Sequence, residues 1–258
     1  MLQLRAEPVP QGLVAAGDVE LQAPLRVTGS GLYCGGCLRG REWLELGSLD
    51  PADGVHGDVW PQAGAHALGG VWSAGEEIHP RPEAGGEYPY DTDMHTGDND
   101  VSRLAAPPDA SLLIALRDDA VAPGAALRDG TLDLAGLPPS RPFGPGMVLA
   151  DDSYVVVTSA AEGAELRLMG ARPPGACPIV LVVEGDVAMG GSGVPTGFDG
   201  ALLVSGSLRV CGPSSLRGHL FAGTLLVSAP LSVELAREWR ASPLSGLACP
   251  TVVALDGP

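Results

Sequence analysis

The sequence predicts an all-β protein, an irregular single-stranded β-solenoid with a loop-rich insertion in its middle. Three observations carry this expectation. Between Val182 and Val233 one unit recurs three times, a short apolar strand, a glycine, and an apolar residue two places on: Val182-Val183-Glu184-Gly185-Asp186-Val187, Leu203-Val204-Ser205-Gly206-Ser207-Leu208 and Phe221-Ala222-Gly223-Thr224-Leu225. The glycines stand 21 and 17 residues apart, a period at which one supersecondary unit stacks on the next. Turn clusters, Gly190-Gly191-Ser192-Gly193 and Gly212-Pro213-Ser214-Ser215, separate the units and suit corners rather than helices.

The same grammar opens the chain. Gly12 to Gly17, Gly31 to Gly36 and Gly70 to Gly75 each enclose a short apolar run, with glycines five apart as in Gly218 and Gly223. A degenerate copy, Gly54-Val55-His56-Gly57-Asp58-Val59-Trp60, breaks the spacing, and the starts at 12, 31, 54 and 70 are irregular. This argues against a strict hexapeptide rhythm and favours a looser, right-handed β-helix. In Asp18-Val19-Glu20-Leu21 and Leu25-Arg26-Val27-Thr28, apolar and polar residues alternate with period two, so one side of each strand faces a core. Val19, Leu32, Val71, Val183, Val204, Leu208, Leu220 and Leu225 are the expected inward residues.

The middle fits less well. Pro80-Arg81-Pro82-Glu83-Ala84-Gly85-Gly86 breaks the pattern, an acidic stretch follows, and Leu137 to Pro145 is a proline-rich excursion. Asp109 to Leu116 reads equally as a short helix capped by Asp109 or as a strand. Strand grammar returns at Thr131–Leu134, Tyr154–Val157 and Glu165–Leu168. The tail offers a helical turn within Val233–Arg240 and a last strand at Pro250–Leu255. The organisation expected is therefore residues 1–80 as N-terminal rungs, 81–150 as the insertion and 151–258 as C-terminal rungs, in one continuous domain.

Composition bounds function. All 15 basic residues are arginine and the formal charge is −16, which repels phosphate backbones and excludes nucleic acid as a partner. No window reaches the roughly 18 consecutive apolar residues of a membrane span, and the first residues lack the basic-then-apolar order of a signal peptide. As it stands, this reads as cytoplasmic. An anchored segment upstream would instead place the chain on the cell surface.

Several residue sets could carry chemistry. Asp91, Asp93, Asp98 and Asp100 are four carboxylates within ten residues, the hard-oxygen donors that calcium takes, although the pattern is not an EF-hand. The bland reading is a solvated acidic loop. Cys34-Gly35-Gly36-Cys37 has thioredoxin-like spacing without the βαβ context of a redox motif. Cys34 with Cys37, and Cys177 with Cys211 on neighbouring rungs, are candidate disulfides in an exported protein and buried thiols otherwise. The histidines His56, His66, His79, His95 and His219 lack metal-protease spacing, and no nucleophile elbow or phosphate loop occurs. Trp60, Trp72, Tyr88 and Tyr90 could line a carbohydrate groove or simply pack on the solenoid.

The glycine-x-apolar rungs of Val182–Val233, set beside Cys177 and Val210-Cys211-Gly212, resemble the distal regions of bacterial PilX-type pilus assembly proteins. More broadly they resemble β-solenoid scaffolds such as the bactofilins. The resemblance implies a non-catalytic structural or adhesive protein with protein partners in a pilus or cell-surface assembly. The competing expectation is a polysaccharide-active β-helix enzyme, a lyase or hydrolase, in which Asp91, Asp93 and Asp98 act with calcium.

Overall fold

The computed structural model describes residues 4–8, 11–40, 42–47, 59–61, 65–66, 70–73, 76–77, 115–142, 153–191, 193, 195–240 and 250–254, with backbone alone for 4–8, 11, 59–77 and 250–254. The N-terminal strands are β1 (Leu4–Pro8), β2 (Gln11–Ala15), β3 (Val19–Leu21), β4 (Leu25–Thr28), β5 (Gly31–Cys34), β6 (Leu38–Gly40), β7 (Trp43–Gly47), β8 (Val59–Pro61), β9 (Ala65–His66), β10 (Gly70–Ser73) and β11 (Glu76–Glu77). After them come β12 (Leu127–Arg128), β13 (Thr131–Asp133), β14 (Tyr154–Ser159), β15 (Glu165–Met169), β16 (Ile179–Glu184), β17 (Asp186–Met189) and β18 (Thr196–Val204). The rest are β19 (Ser207–Val210), β20 (Ser214–Ala222), β21 (Thr224–Val227), β22 (Leu231–Glu234) and β23 (Pro250–Ala254).

These strands coil into a β-solenoid with three faces. Face B is the run β14–β16–β18–β20–β2–β5–β8, and face C the run β13–β15–β17–β19–β21–β3–β6–β9, all parallel. Face A is made by β18, β20, β22, β4, β7 and β10. The nine-residue strands β18 and β20 serve two faces. Ser214–Arg217 of β20 pairs with β22 on face A, and Leu220–Ala222 pairs with β2 on face B. The bend falls at Gly200 and Gly218, where φ is 145° and 152° and an added Cβ would overlap the carbonyl of the rung below.

The corner between faces B and C explains the sequence repeat. Gly206 N–H donates to the Gly185 carbonyl at 3.1 Å, Gly223 to Gly206 at 2.8 Å, Gly17 to Gly223 at 2.7 Å and Gly36 to Gly17 at 3.1 Å. The residue after each glycine ties rungs together from outside. Asp186 Oδ1 accepts from Ser207 N–H at 2.7 Å, Asp18 Oδ1 accepts from Cys37 N–H at 2.9 Å, and Thr224 Oγ1 donates to Ser207 Oγ at 2.9 Å. The apolar residue that follows then turns inward.

The N-terminal coils sit on the last C-terminal coil. β2 lies on β20, β3 on β21 and β4 on β22, in parallel register, although some 200 residues separate the partners in sequence. β1 and β23 pair antiparallel, so the two outermost strands of the chain meet each other. The seam is a rung interface without chain continuity. The chain crosses from β11, on the outermost N-terminal coil, to a helical stretch at 115–118 and the parallel bridge Val121–Val156 at the other end of the column.

The interior is aliphatic. Val19, Leu32, Val183, Val204, Leu208, Leu220 and Leu225 are all buried in one cluster that runs through both blocks, as the alternation predicts, while the side chain of Val71 lies outside the described residues. A second apolar layer covers the outside of face B: Val14, Tyr33, Val180, Val182, Leu203 and Phe221 are buried beneath Leu116, Leu235 and Trp239. Trp239 is carried by the short helix Arg237–Arg240 predicted for the tail. The expected strands at 131–134, 154–157 and 165–168 are β13, β14 and β15, so the column begins before residue 151.

Candidate functional site

Coil length creates a cleft on face A. Between β15 and β16 residues 170–178 run as a loop where face A would lie, tied to β18 by the bridge Ala171–Gly197 and by Arg172 N–H donating to the Gly197 carbonyl at 3.0 Å. That loop and the outer side of β18, β20 and β22 enclose a cleft of about 390 Å³. Its floor carries two rows set by strand register, Gly197–Ser215–Ser232 and Asp199–Arg217–Glu234.

The second row is an ion-pair ladder. Arg217 reaches Glu238 at 2.8 Å, Glu234 at 3.1 Å and Asp199 at 3.9 Å, so one guanidinium serves three carboxylates. Partial burial pushes the Asp199 carboxyl up; Arg217 opposes this and the neighbouring Glu238 and Glu234 add to it. Burial works against the Arg217 charge, yet the hydrogen bond to Glu234 and the fields of Glu238 and Asp199 outweigh it and raise its pKa.

The loop wall is pinned by Arg172. Its guanidinium donates to the carbonyls of Pro138 at 2.8 Å and Cys177 at 2.9 Å and to the Tyr154 hydroxyl at 3.2 Å, and lies 5.5 Å over the Tyr154 ring. Tyr154 in turn donates to Pro138 at 2.5 Å. Burial pushes its phenol up, with Arg172 acting the other way. The ionic groups of the cleft are thus spent on one another and on the backbone. What the surface offers a ligand is hydroxyls, backbone edges and the excess of carboxylate over guanidinium in the ladder.

The residues singled out in the sequence do not converge here. Asp91, Asp93, Asp98 and Asp100 lie outside the described residues, as do Tyr88 and Tyr90 and the side chains of Trp60 and Trp72. Among the described residues no group of three or more His, Cys, Asp or Glu could hold a metal, and no helix is long and apolar enough to cross a membrane. No disulfide joins Cys34, Cys37, Cys177 or Cys211. Cys34 faces the core and donates to the Gly17 carbonyl at 3.2 Å, and burial pushes its thiol from 9.0 to about 12. A redox nucleophile needs the opposite shift. Cys177 precedes β16 where face A meets face B, whereas Cys211 follows β19 where face C meets face A. They stand at different corners, which corrects the expectation that they are rung neighbours.

Sequence reasoning missed two features. The ladder residues Asp199, Arg217 and Glu234 are 18 and 17 residues apart, one coil each, so the repeat itself could have aligned them. His219 is fully buried in the outer layer of face B, its Nε2 3.0 Å from the Trp239 carbonyl and its ring packed against Phe221 and Trp239. It fastens the tail helix rather than a metal.

The fold and the cleft define this chain as a three-faced β-solenoid with an ion-paired surface groove. No family model matches the chain, and neither a curated protein nor a solved structure matches it.

Proposed function

We propose that the chain is a non-catalytic structural or adhesive β-solenoid that works in a bacterial pilus or other cell-surface assembly through protein partners. The observation that carries this reading is the Asp199–Arg217–Glu234–Glu238 ladder. In the face A cleft, charged groups that an enzyme would leave poised for substrate instead lock adjacent rungs to one another. The test is immunogold labelling of intact native cells together with assay of sheared surface fractions. Label on the surface and protein in the sheared fraction are expected; protein confined to the cytoplasm overturns the reading.

One observation favours the polysaccharide-active alternative. Asp199, with its carboxyl pushed up by burial, lies two rungs from Glu234 in an open cleft, and two carboxyl groups flanking a groove are the working parts of glycoside hydrolysis. Release of reducing ends from acidic or neutral polysaccharides, abolished in both Asp199→Asn and Glu234→Gln, would establish it. Calcium held by Asp91, Asp93, Asp98 and Asp100 belongs to either reading. Calorimetry with millimolar calcium should then give heat and a raised melting temperature, and silence in both removes the site.

A further inference from the structure

We propose that face A is a binding surface for a neutral, extended polysaccharide. The sugar chain lies along the column over β18, β20, β22, β4 and β7, its rings on a ridge of proline and tryptophan and its hydroxyls over the polar rows beside the ridge. The inference rests on the adhesive reading above and names its target.

The ridge is a property of strand register. Thr196, Ser214, Leu231, Leu25 and Leu44 are successive rung partners. The residues one place before them are Pro195, Pro213, Pro230, Pro24 and Trp43, and the carbonyls of Pro213, Pro230 and Pro24 accept from Thr196, Ser214 and Leu231 at 3.0, 2.9 and 3.1 Å. Pro195, Pro213 and Pro230 are exposed and Pro24 is half-buried. At such a corner proline has a structural use, since it fixes φ and removes an N–H. An indole has neither property. Trp43 nevertheless stands at the same outward position with 37% of its surface exposed, the one exposed large hydrophobic among the described residues. Aligned apolar surface rimmed by polar groups marks an interaction site.

The rim calls for donors without charge. The next outward row is Gly197, Ser215, Ser232, Arg26 and Glu45, in which Arg26 meets Glu45 at 3.4 Å. A Cβ at Gly197 would stand 2.5 Å from Ser215 Oγ, so only glycine leaves that hydroxyl uncovered. Beyond it, the ladder sets the carboxylates of Asp199, Glu234 and Glu238 against the single guanidinium of Arg217. Sugar hydroxyls donate to surplus carboxylates in charge-assisted hydrogen bonds, while the C–H faces of the rings cover indole and proline. An anionic polysaccharide meets the same carboxylates and a formal charge of −16, and is repelled.

Periodicity favours a polysaccharide over a peptide. The rows repeat once per rung, about 4.8 Å, close to the length of one pyranose unit in an extended chain, whereas extended peptides repeat every residue at about 3.1–3.4 Å. From β18 to β7 the strip covers four rung spacings, on the order of 20 Å.

The test is retention of the purified full chain by particles of cellulose, chitin, mannan and starch, with de-esterified pectin as the anionic comparison. At least one neutral polymer should retain the chain, and pectin should not. Trp43→Ala should weaken retention about tenfold or more, with Trp43→Tyr recovering most of it and Leu226→Ala, on face C, changing it less than about twofold, all at an unchanged melting temperature. Retention that Trp43→Ala leaves intact overturns the assignment, as does retention by pectin alone or failure of every neutral polymer to hold the chain. Release of the bound chain by a proline-rich peptide, and not by soluble oligosaccharides of the same polymer, would make the surface a peptide site and also overturns it. Surface labelling beside any of these failures leaves the assembly reading standing. Trp43-dependent retention of a protein confined to the cytoplasm sinks the assembly reading and leaves the binding surface.

Discussion

Coil 214–227 has two neighbours of different kinds. Below, β18 and β19 reach it through the chain itself; above, β2 and β3 come from the far end of the sequence. The two interfaces use the same parts: parallel register, aliphatic pairs inward and a glycine N–H donating to a glycine carbonyl at the corner, 2.8 Å below and 2.7 Å above. They differ in tightness. A Cβ on Gly223 would sit 2.7 Å from the Gly206 carbonyl, whereas one on Gly17 would sit 3.1 Å from that of Gly223. Rung stacking therefore owes little to connectivity, because its energy comes from hydrogen bonds and buried aliphatic surface that any matching edge supplies.

The hardest test of that equivalence places a charge in each block. Val204→Asp buries an unpaired carboxylate in the middle of contiguous coils and should cost more than about 4 kcal/mol, removing amide protection from β14 through β22. Val19→Asp makes the same insult on the N-terminal side of the seam. It should release the N-terminal block while β14–β20 keep slow hydrogen exchange. Global loss of protection in Val19→Asp would make the two blocks one cooperative unit.

The corner glycines give a finer measure. Gly206→Ala should lower stability by about 2 kcal/mol and Gly17→Ala by about 1 kcal/mol, read from urea midpoints, since the seam leaves its Cβ more room. Equal losses would mean that the two corners are equally close-packed.

Cys34, on β5 one coil above the seam, reports the packing of the N-terminal block through pH. Its thiol is pushed from 9.0 to about 12 by burial, so below pH 9 both folded and unfolded chains hold the proton. Between about 9 and about 12 only the unfolded chain ionises, and stability should fall by about 1.4 kcal/mol per pH unit. Cys34→Ala should flatten that limb. At pH 8 a thiol reagent should modify the exposed Cys211 and spare the buried Cys34.

The smallest effect is expected on face A. Asp199→Asn should shift the melting temperature at neutral pH by no more than about 2 °C, as exposed ion pairs contribute little. Because the folded carboxyl is raised, its contribution favours the protonated form and is lost as pH rises through its value, a loss the Asn variant lacks. Arg217→Gln, which leaves Asp199, Glu234 and Glu238 facing one another, should be the more damaging change and should recover as the carboxylates are protonated.

Much of this was legible in particular residues. Gly185, Gly206, Gly223, Gly17 and Gly36 share one corner, and the alternation around Val19 and Leu25 gave the buried side correctly. The outer layer left a signal that alternation alone does not use: Ile179-Val180-Leu181-Val182-Val183 is apolar at every position, the mark of a strand covered on both sides. The cleft left a fainter one, since Arg172 and Asp199 line one cleft only because the 170–178 loop runs where a strand would lie.

By itself the sequence determined the rung: its length, its glycine corner, its inward residues and hence the solenoid class, all of which depend on neighbours within a single coil. Only the tertiary structure decided which rung lies on which. Every coil presents the same parallel edge, so local pattern leaves the stacking order degenerate. The seam and the pairing of β1 with β23 exist because of the order in which whole coils were laid on one another.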